Sequence, residues 1–484
     1  MPISLICAYN RAFRCWVSLK STAGHTEYAE PKGPSSSVIS VVLPPGPGMK
    51  LTHYGPSELF TRAVRIRMDD HDKRAVDDVR MRGFAHRHTV DEALAWLDAQ
   101  VRPPGDEIVP LRMAAGRVLA SPIVSDVDVP GFDRATMDGY AVLAESTEGA
   151  TSYNRLPLAV LGDSMPGRGF AGLVGPGQSV RIMTGAPLPR GCDAVLPAEW
   201  IDDAASTTAV VSALAAVSPG KNVGRTGEDI VRGTTLFQAG RVLRPQDLGV
   251  LSSVGVGDLR VFSRPRVRLV VTGSELLPSG SRPRGYQIAD ANGPMLAALV
   301  ERDGGLVDFP ALVPDDYEAI AQALHSEADV IIVSGGSSVG IEDLAPTILA
   351  EHGELAIHGI AMRPSSPTGL GRIGARLVFL LPGNPVSCFC AYDFFAGRAI
   401  RALGGRGKAW PYRPLRARLA RKISSPIGRL DYARVQLLNG TVEPLAVGGA
   451  SVLSSTTRAD GFVIIPDDSE GFAPGTEVEV WLYA

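Results

Sequence analysis

From about residue 266 the chain alternates apolar runs with helical segments. "RVRLVVTG" reads as a strand and "NGPMLAALVERDG" as a helix; "ADVIIVSGG" is a strand and "LAPTILAEHG" a helix; "RLVFLLPG" is a strand and "PVSCFCAYDFFAGRAIRALGG" a long helix. Continuous apolar strands separated by helices are what a mainly parallel sheet covered on both faces requires. The expected fold class is multidomain α/β plus β-rich, with an α/β sandwich at 266–410. Ligands of such sheets sit beyond the carboxyl ends of the strands.

Around that layer the pattern differs. Residues 83–265 are mostly short apolar runs broken by Gly and Pro ("RLPLAVLG", "AVLPAEW", "TTAVVSAL") and read as β-rich. They open on a helix at "HTVDEALAWLDAQV", with Thr89 and Glu92 forming a capping box and Val90, Ala93, Leu94 and Leu97 on one face. Residues 411–484 return to short β-like runs and read as a small all-β domain. Residues 1–82 are Pro/Ser/Gly-rich and then mixed in charge. They read as disordered or loosely attached, or, with Met81 as the true start, as an artefact of gene calling.

Composition removes several classes. With a net charge of −3, the 484-residue chain lacks the basic domain of a nucleic-acid binder. No apolar run reaches the roughly 18 residues that span a bilayer, so no membrane partner is expected. Five cysteines, none in CxxC spacing, argue against a disulfide framework or a zinc ribbon and for reduced thiols in a cytoplasm. His86 and His88 form an HxH; no Cys or acid beside them completes a metal site, so they read as surface histidines.

Three strand ends carry glycine and polar residues. These are "TGSELLPSG" with Thr272, Gly273, Ser274 and Glu275; "SGGSSVGIED" with Ser334, Gly335, Gly336, Ser337, Ser338 and Gly340; and "LPGNP" with Pro382, Gly383 and Asn384. Glycine lets backbone N–H groups approach an anion, and serine adds hydroxyl donors. Tight turns alone explain one such loop less strainedly than three at one sheet edge, so an anionic small molecule is the better reading. No lysine follows in P-loop spacing, and the GxGxxG at Gly167, Gly169 and Gly172 leads into no helix. Acids stand close by: Glu275, Asp290, Glu342 and Asp343. Beside an anion they call for a divalent cation between, as Mg²⁺ is held by carboxylates plus substrate phosphates; helix capping explains some of them. The β-rich region adds two dense motifs, "PGFDRATMDGYAV" with Asp138 and "RIMTGAPLPRGCDAVLPAEW" with Thr184.

Taken together, "TMDGYAV", "RIMTGAPLPRGCDAV", "VGRTGEDI", "VVTGSEL", "SGGSSVG" and "LPGNPVS" resemble, in order and spacing, the molybdopterin molybdotransferase family (MoeA-type, gephyrin E-domain-like) over about residues 84–484. The resemblance implies insertion of molybdate into an adenylated molybdopterin, with release of AMP and help from Mg²⁺ or another divalent cation. It implies an elongated homodimer, two N-terminal β-rich domains with one inserted in the other, and a C-terminal β-barrel. It also implies possible contact with the adenylyltransferase of the pathway or a recipient molybdoenzyme. Asp138, Glu228 and Asp343 match family acids and are expected to bind metal or activate water. Thr184 and Ser337 are expected to position substrate. One departure stands out. Where the family carries a lysine-rich stretch, this chain has "MRPSSPTGLG": Arg363, Pro364, Ser365 and Ser366 are left to form the molybdate site, and His358 and Gly359 stand where a further lysine is common. An active transferase rebuilt around Arg363 and a cofactor-binding scaffold or delivery paralogue are both compatible with that change.

Overall fold

The computed structural model describes residues 86–102, 105–202, 209–309, 312–336, 344–446 and 448–483. The expectations for residues 1–82, for Met81 as a start, and for Ser337, Ser338, Gly340, Glu342 and Asp343 lie outside the described residues.

The α/β layer is a six-stranded mixed sheet. Its order is Leu306–Asp308, Arg266–Val271, Val330–Ser334, Arg376–Leu381, Gly369–Ile373, Glu354–His358. The first four are parallel, and the last two join antiparallel. Alternation along the strands sorts side chains to two cores. Val267, Leu269, Val330, Ile332, Leu377, Phe379 and Leu381 face one core, with helices Asn292–Arg302 and Pro385–Leu403. Val270, Ile331, Val333, Val378 and Leu380 face the other, with helices Tyr317–Leu324 and Ala345–His352. The "CFCAYDFF" run is core: Cys388, Cys390, Tyr392 and Phe395 are all fully buried. It includes a π-helical turn, Tyr392–Ala396, which adds a residue to the helix repeat.

Helix Val90–Gln100 is capped by Thr89 and Glu92 in both directions, at 3.1 and 2.8 Å. Its buried face (Val90, Ala93, Leu97) joins the α/β core, not the β-rich segment that follows it in sequence. Strands Asp106–Pro110 and Asp258–Phe262 pair antiparallel and share a small core with Leu119, Leu243 and Leu251. They bracket a separate six-stranded sheet drawn from residues 139–213, with its own cores around Val142, Leu158 and Leu196 and around Ala141, Ile182 and Val195.

The C-terminal strands close on themselves. Leu430–Leu438 pairs with Thr441–Ala446, which pairs with Arg413–Leu419, then Glu477–Leu482, then Gly461–Ile465, and so back to Leu430–Leu438. Val435, Val442, Val463, Val478 and Val480 fill this barrel. A short strand, Met362–Arg363, lies parallel on the edge of Leu430–Leu438 and ties the barrel to the α/β layer. Among the described residues no helix is long and apolar enough to cross a membrane.

Candidate active site

Two cavities meet at the carboxyl edge of the parallel strands, sharing Pro367, Pro382 and Asn384 in their walls. The first, about 570 Å³, is bounded by Thr272, Gly273, Glu275, Asp290, Ser334, Gly335, Gly336, Gly383 and Asp315. The second, about 770 Å³, holds Arg363, Pro364, Ser365, Ser366, Arg87 and Arg429. The sheet edge thus gathers the strand-end loops that the sequence singled out. Their polarity is divided. The smaller cavity is walled by the acids Glu275, Asp290 and Asp315, with no Lys or Arg among its described residues. The larger has three arginines and no acid among its described residues.

Gly335 is required by shape. Its φ is +102°, and a Cβ there would lie 2.1 Å from the Thr272 carbonyl oxygen. The turn that ends the Val330–Ser334 strand therefore lies flush against the neighbouring strand end.

Several hydroxyls expected to face an anion are spent inside the protein. The Thr272 hydroxyl donates to Asp315 Oδ1. Ser274 donates to Asp315 Oδ2 through its amide at 2.7 Å and its hydroxyl at 3.2 Å. Ser334 Oγ, buried, accepts from Asn292 Nδ2 at 2.9 Å and touches Cys388 Sγ at 3.6 Å. Burial pushes the Cys388 thiol up to about 12, so it stays protonated. Ser365 Oγ donates to the Ser387 carbonyl at 2.6 Å. Asp290 caps a helix: its Oδ1 accepts from the Asn292 and Gly293 amides, both at 2.9 Å.

What remains open is as informative. Asn292 Oδ1, Arg363 Nε and Ser366 Oγ are buried at the cavity walls without a hydrogen-bond partner. Buried polar atoms are nearly always satisfied, so these three are polar atoms that the protein's own described groups leave open. Arg363 Nη2 is taken by Asp431, whose carboxylate is fully buried. Asp431 also accepts from Arg429 Nε at 3.1 Å and Ser425 Oγ at 2.9 Å.

Sequence reasoning missed Arg87, Arg429, Asp315 and Asn292. Asn292 sits in "QIADANG", two residues from a residue that was chosen; Arg429 and Asp431 come from the barrel, with no local signal. A second correction concerns His86 and His88. Glu92, four residues on, brings a carboxylate 3.7 Å from His88 Nδ1. The two histidines therefore do have an acid beside them, because the helix cap turns Glu92 back over Thr89.

Asp138, Thr184 and Glu228 lie outside both cavities, on the sheet inserted between the bracketing strands and the loop after it. Thr184 donates to Asp138 Oδ1 through its amide and its hydroxyl, each at 2.7 Å. The Thr184 amide, then its hydroxyl, holds the Asp138 carboxyl below the ordinary carboxylate range, leaving Oδ2 facing solvent as an anion. Glu228 Oε2 accepts from the Arg225 amide at 3.1 Å. Both acids are exposed, and each keeps one oxygen without a protein donor among the described residues.

Comparison with known proteins fits this organisation. Residues 88–255 match the model of the MoeA N-terminal region (domain I and II), 268–402 that of a probable molybdopterin binding domain, and 416–483 that of the MoeA C-terminal region (domain IV). Molybdopterin molybdenumtransferase 2 of Mycobacterium tuberculosis (strain CDC 1551 / Oshkosh) is 36% identical over 386 residues, 77% of this chain and 94% of that protein. The molybdopterin molybdenumtransferase of Staphylococcus aureus (strain MSSA476) is 30% identical, covering 77% of this chain and 90% of its own. The crystal structure of a molybdopterin biosynthesis MoeA protein from Pyrococcus horikosii superposes with a TM-score of 0.70 at 34% identity, over 82% of this chain and 99% of that one.

Proposed function

This chain belongs to the MoeA family of molybdopterin molybdenumtransferases, and on that footing we propose that it inserts molybdate into adenylated molybdopterin with release of AMP, in molybdenum cofactor biosynthesis. One observation carries the reading: a cavity walled by acids and a cavity walled by arginines adjoin at one sheet edge, with Pro367, Pro382 and Asn384 between them. A heterocycle rich in N–H donors suits the first, with Asn292 Oδ1 as an acceptor. A tetrahedral oxyanion suits the second, with Arg363 Nε and Ser366 Oγ as donors. Arg87 and Arg429 supply positive charge where the family's lysines are missing, which favours an active transferase over a scaffold.

A divalent cation such as Mg²⁺ takes hard oxygen ligands. Asp138 Oδ2 and the second Glu228 oxygen, exposed on acids already braced by Thr184 and Arg225, fit that demand, with Asp343 as a further candidate. Such a cation supplies charge neutralisation at the phosphoanhydride when bound. Thr184 fixes the Asp138 carboxylate and keeps it ionised. Because Asp138 and Glu228 line neither cavity of their own chain, we read the working site as shared between two copies in a homodimer. A cytoplasmic location agrees with the free thiols of Cys192, Cys388 and Cys390. Contact with the adenylyltransferase of the pathway, or with a recipient molybdoenzyme, remains part of the proposal.

The deciding experiment supplies purified protein with adenylated molybdopterin, molybdate and Mg²⁺ and follows AMP. Molybdate-dependent AMP release that disappears in Asp138→Ala supports the transferase. Tight binding of the pterin nucleotide without AMP release would replace it with the cofactor-binding scaffold.

A further inference from the structure

We propose that His86, His88 and Glu92 form a binding site for a transition-metal dication of the Zn²⁺ class, outside the cleft described above. One nitrogen from each imidazole and one carboxylate oxygen lie within 4.8 Å of one another. The imidazole rings stand edge to face with centroids 5.0 Å apart. His88 Nδ1 and Glu92 Oε2 are already 3.7 Å apart, close to the roughly 3.4 Å between ligand atoms on a tetrahedral ion with bonds of about 2.0–2.1 Å. His86 must close the remaining gap. It is exposed, so a side-chain rotation suffices. Two imidazoles and one carboxylate are a donor set for Zn²⁺, not for Mg²⁺ or Ca²⁺, which take oxygen.

The helix cap accounts for Glu92 but not for the histidines. Thr89 and Glu92 complete the capping box between themselves, and nothing in it calls for an imidazole on either side. Oε2 of Glu92, the oxygen 3.7 Å from His88 Nδ1, also accepts from the Thr89 amide at 2.8 Å, so an ion would share Oε2 with the cap or take Oε1.

The position gives the site a consequence. The backbone of His88 is held to the α/β layer, its amide donating to Gly359 at 3.0 Å and its carbonyl accepting from Ala361 at 2.7 Å. Arg87, between the two histidines, lines the arginine cavity. An ion gripping both flanking side chains would clamp the segment that presents Arg87.

The test uses the full chain, stripped with a chelator and titrated with Zn²⁺ alone against a chromophoric competitor. His86→Ala, His88→Ala and Glu92→Gln are compared with the parent. Gln at 92 keeps the capping box while removing the carboxylate, so a change in that variant reports on the ion and not on the helix. The expected result is a site in the parent whose affinity falls at least about tenfold in each variant, since even outer-shell changes at metal sites cost 10–100-fold. Hydrogen exchange of residues 86–92 should slow on adding Zn²⁺ in the parent alone. Absence of binding at micromolar Zn²⁺ overturns the proposal. So does binding that all three variants retain, which would put the ion on other side chains.

Discussion

Arg363 and Asp431 are joined across the seam between the α/β layer and the barrel, and their pairing fixes the guanidinium in the wall of the arginine cavity. Asp431 is fully buried and takes Nη2; Nε is left without a partner at the cavity wall. The fork of the guanidinium serves two tasks that a single ammonium cannot. Arg363→Lys should therefore raise the KM for molybdate by about tenfold or more, as for the loss of one charged hydrogen bond. An unchanged KM would mean that Nε makes no contact with the anion. Removing the other partner is a stability experiment. Asp431→Ala leaves two arginines without their buried counterion and should cost about 3–5 kcal/mol in urea unfolding.

Adjacent serines should separate cleanly. Ser366 Oγ is buried and unpartnered, so Ser366→Ala should leave the urea midpoint unchanged or slightly raised while weakening anion binding several-fold. Ser365 holds φ at +91° and anchors the Ser387 carbonyl. Ser365→Ala should lose about 1 kcal/mol of stability, measured by the same unfolding curve. Equal behaviour of the two variants would contradict the division of labour between them.

If the site is shared between two copies, mixing subunits should reveal it. Asp138→Ala and Ser366→Ala chains, each weak alone, should regain AMP release when unfolded together and refolded. Random pairing makes half the dimers mixed, each with one intact site, so about a quarter of wild-type activity is expected. Recovery no greater than the sum of the two variants alone would place all catalytic groups on one chain.

Asp393 makes an acid-side prediction. It is fully buried; desolvation raises its carboxyl to about 6, against the pull of Arg302. The ordinary value is 3.8. Between these values the folded chain holds a proton that the unfolded chain has released. The group's contribution to stability is thus full below pH about 4 and is lost as pH rises through about 6. Asp393→Asn cannot titrate, so relative to it the parent should lose stability between pH about 4 and about 6 in urea unfolding. Parallel curves would assign the titration to another group.

The α/β layer was legible because its strands are apolar at consecutive positions, and only a sheet covered on both faces consumes such runs. The strand-end loops were legible for the same reason: Gly335 and Gly383 follow where those runs stop. Which hydroxyls were free was not legible. Thr272 and Ser334 look like donors in sequence, but Thr272 donates to Asp315, and Ser334 is buried, accepting from Asn292 and touching Cys388. Arg429 reaches the cavity wall, and Asp431 stands behind it, from the start of a strand whose pattern says only barrel. Glu92 escaped as a neighbour of His86 and His88 because a capping box folds a side chain back against the direction of reading.

The barrel is a ring, and a ring is absent until its last member is in place. Glu477–Leu482 is the last of the five strands to leave the ribosome, and it bonds both Arg413–Leu419 and Gly461–Ile465. Until then Leu430–Leu438 lacks a closed barrel beneath it, and Asp431 has no buried setting in which to hold Arg363 and Arg429. The arginine cavity therefore depends on barrel closure through Asp431, whereas the acid cavity is walled mainly by loops at the edge of the α/β sheet. A substitution that opens the ring would thus be felt at Arg363 and Arg429 before it is felt at the loops of the acid cavity.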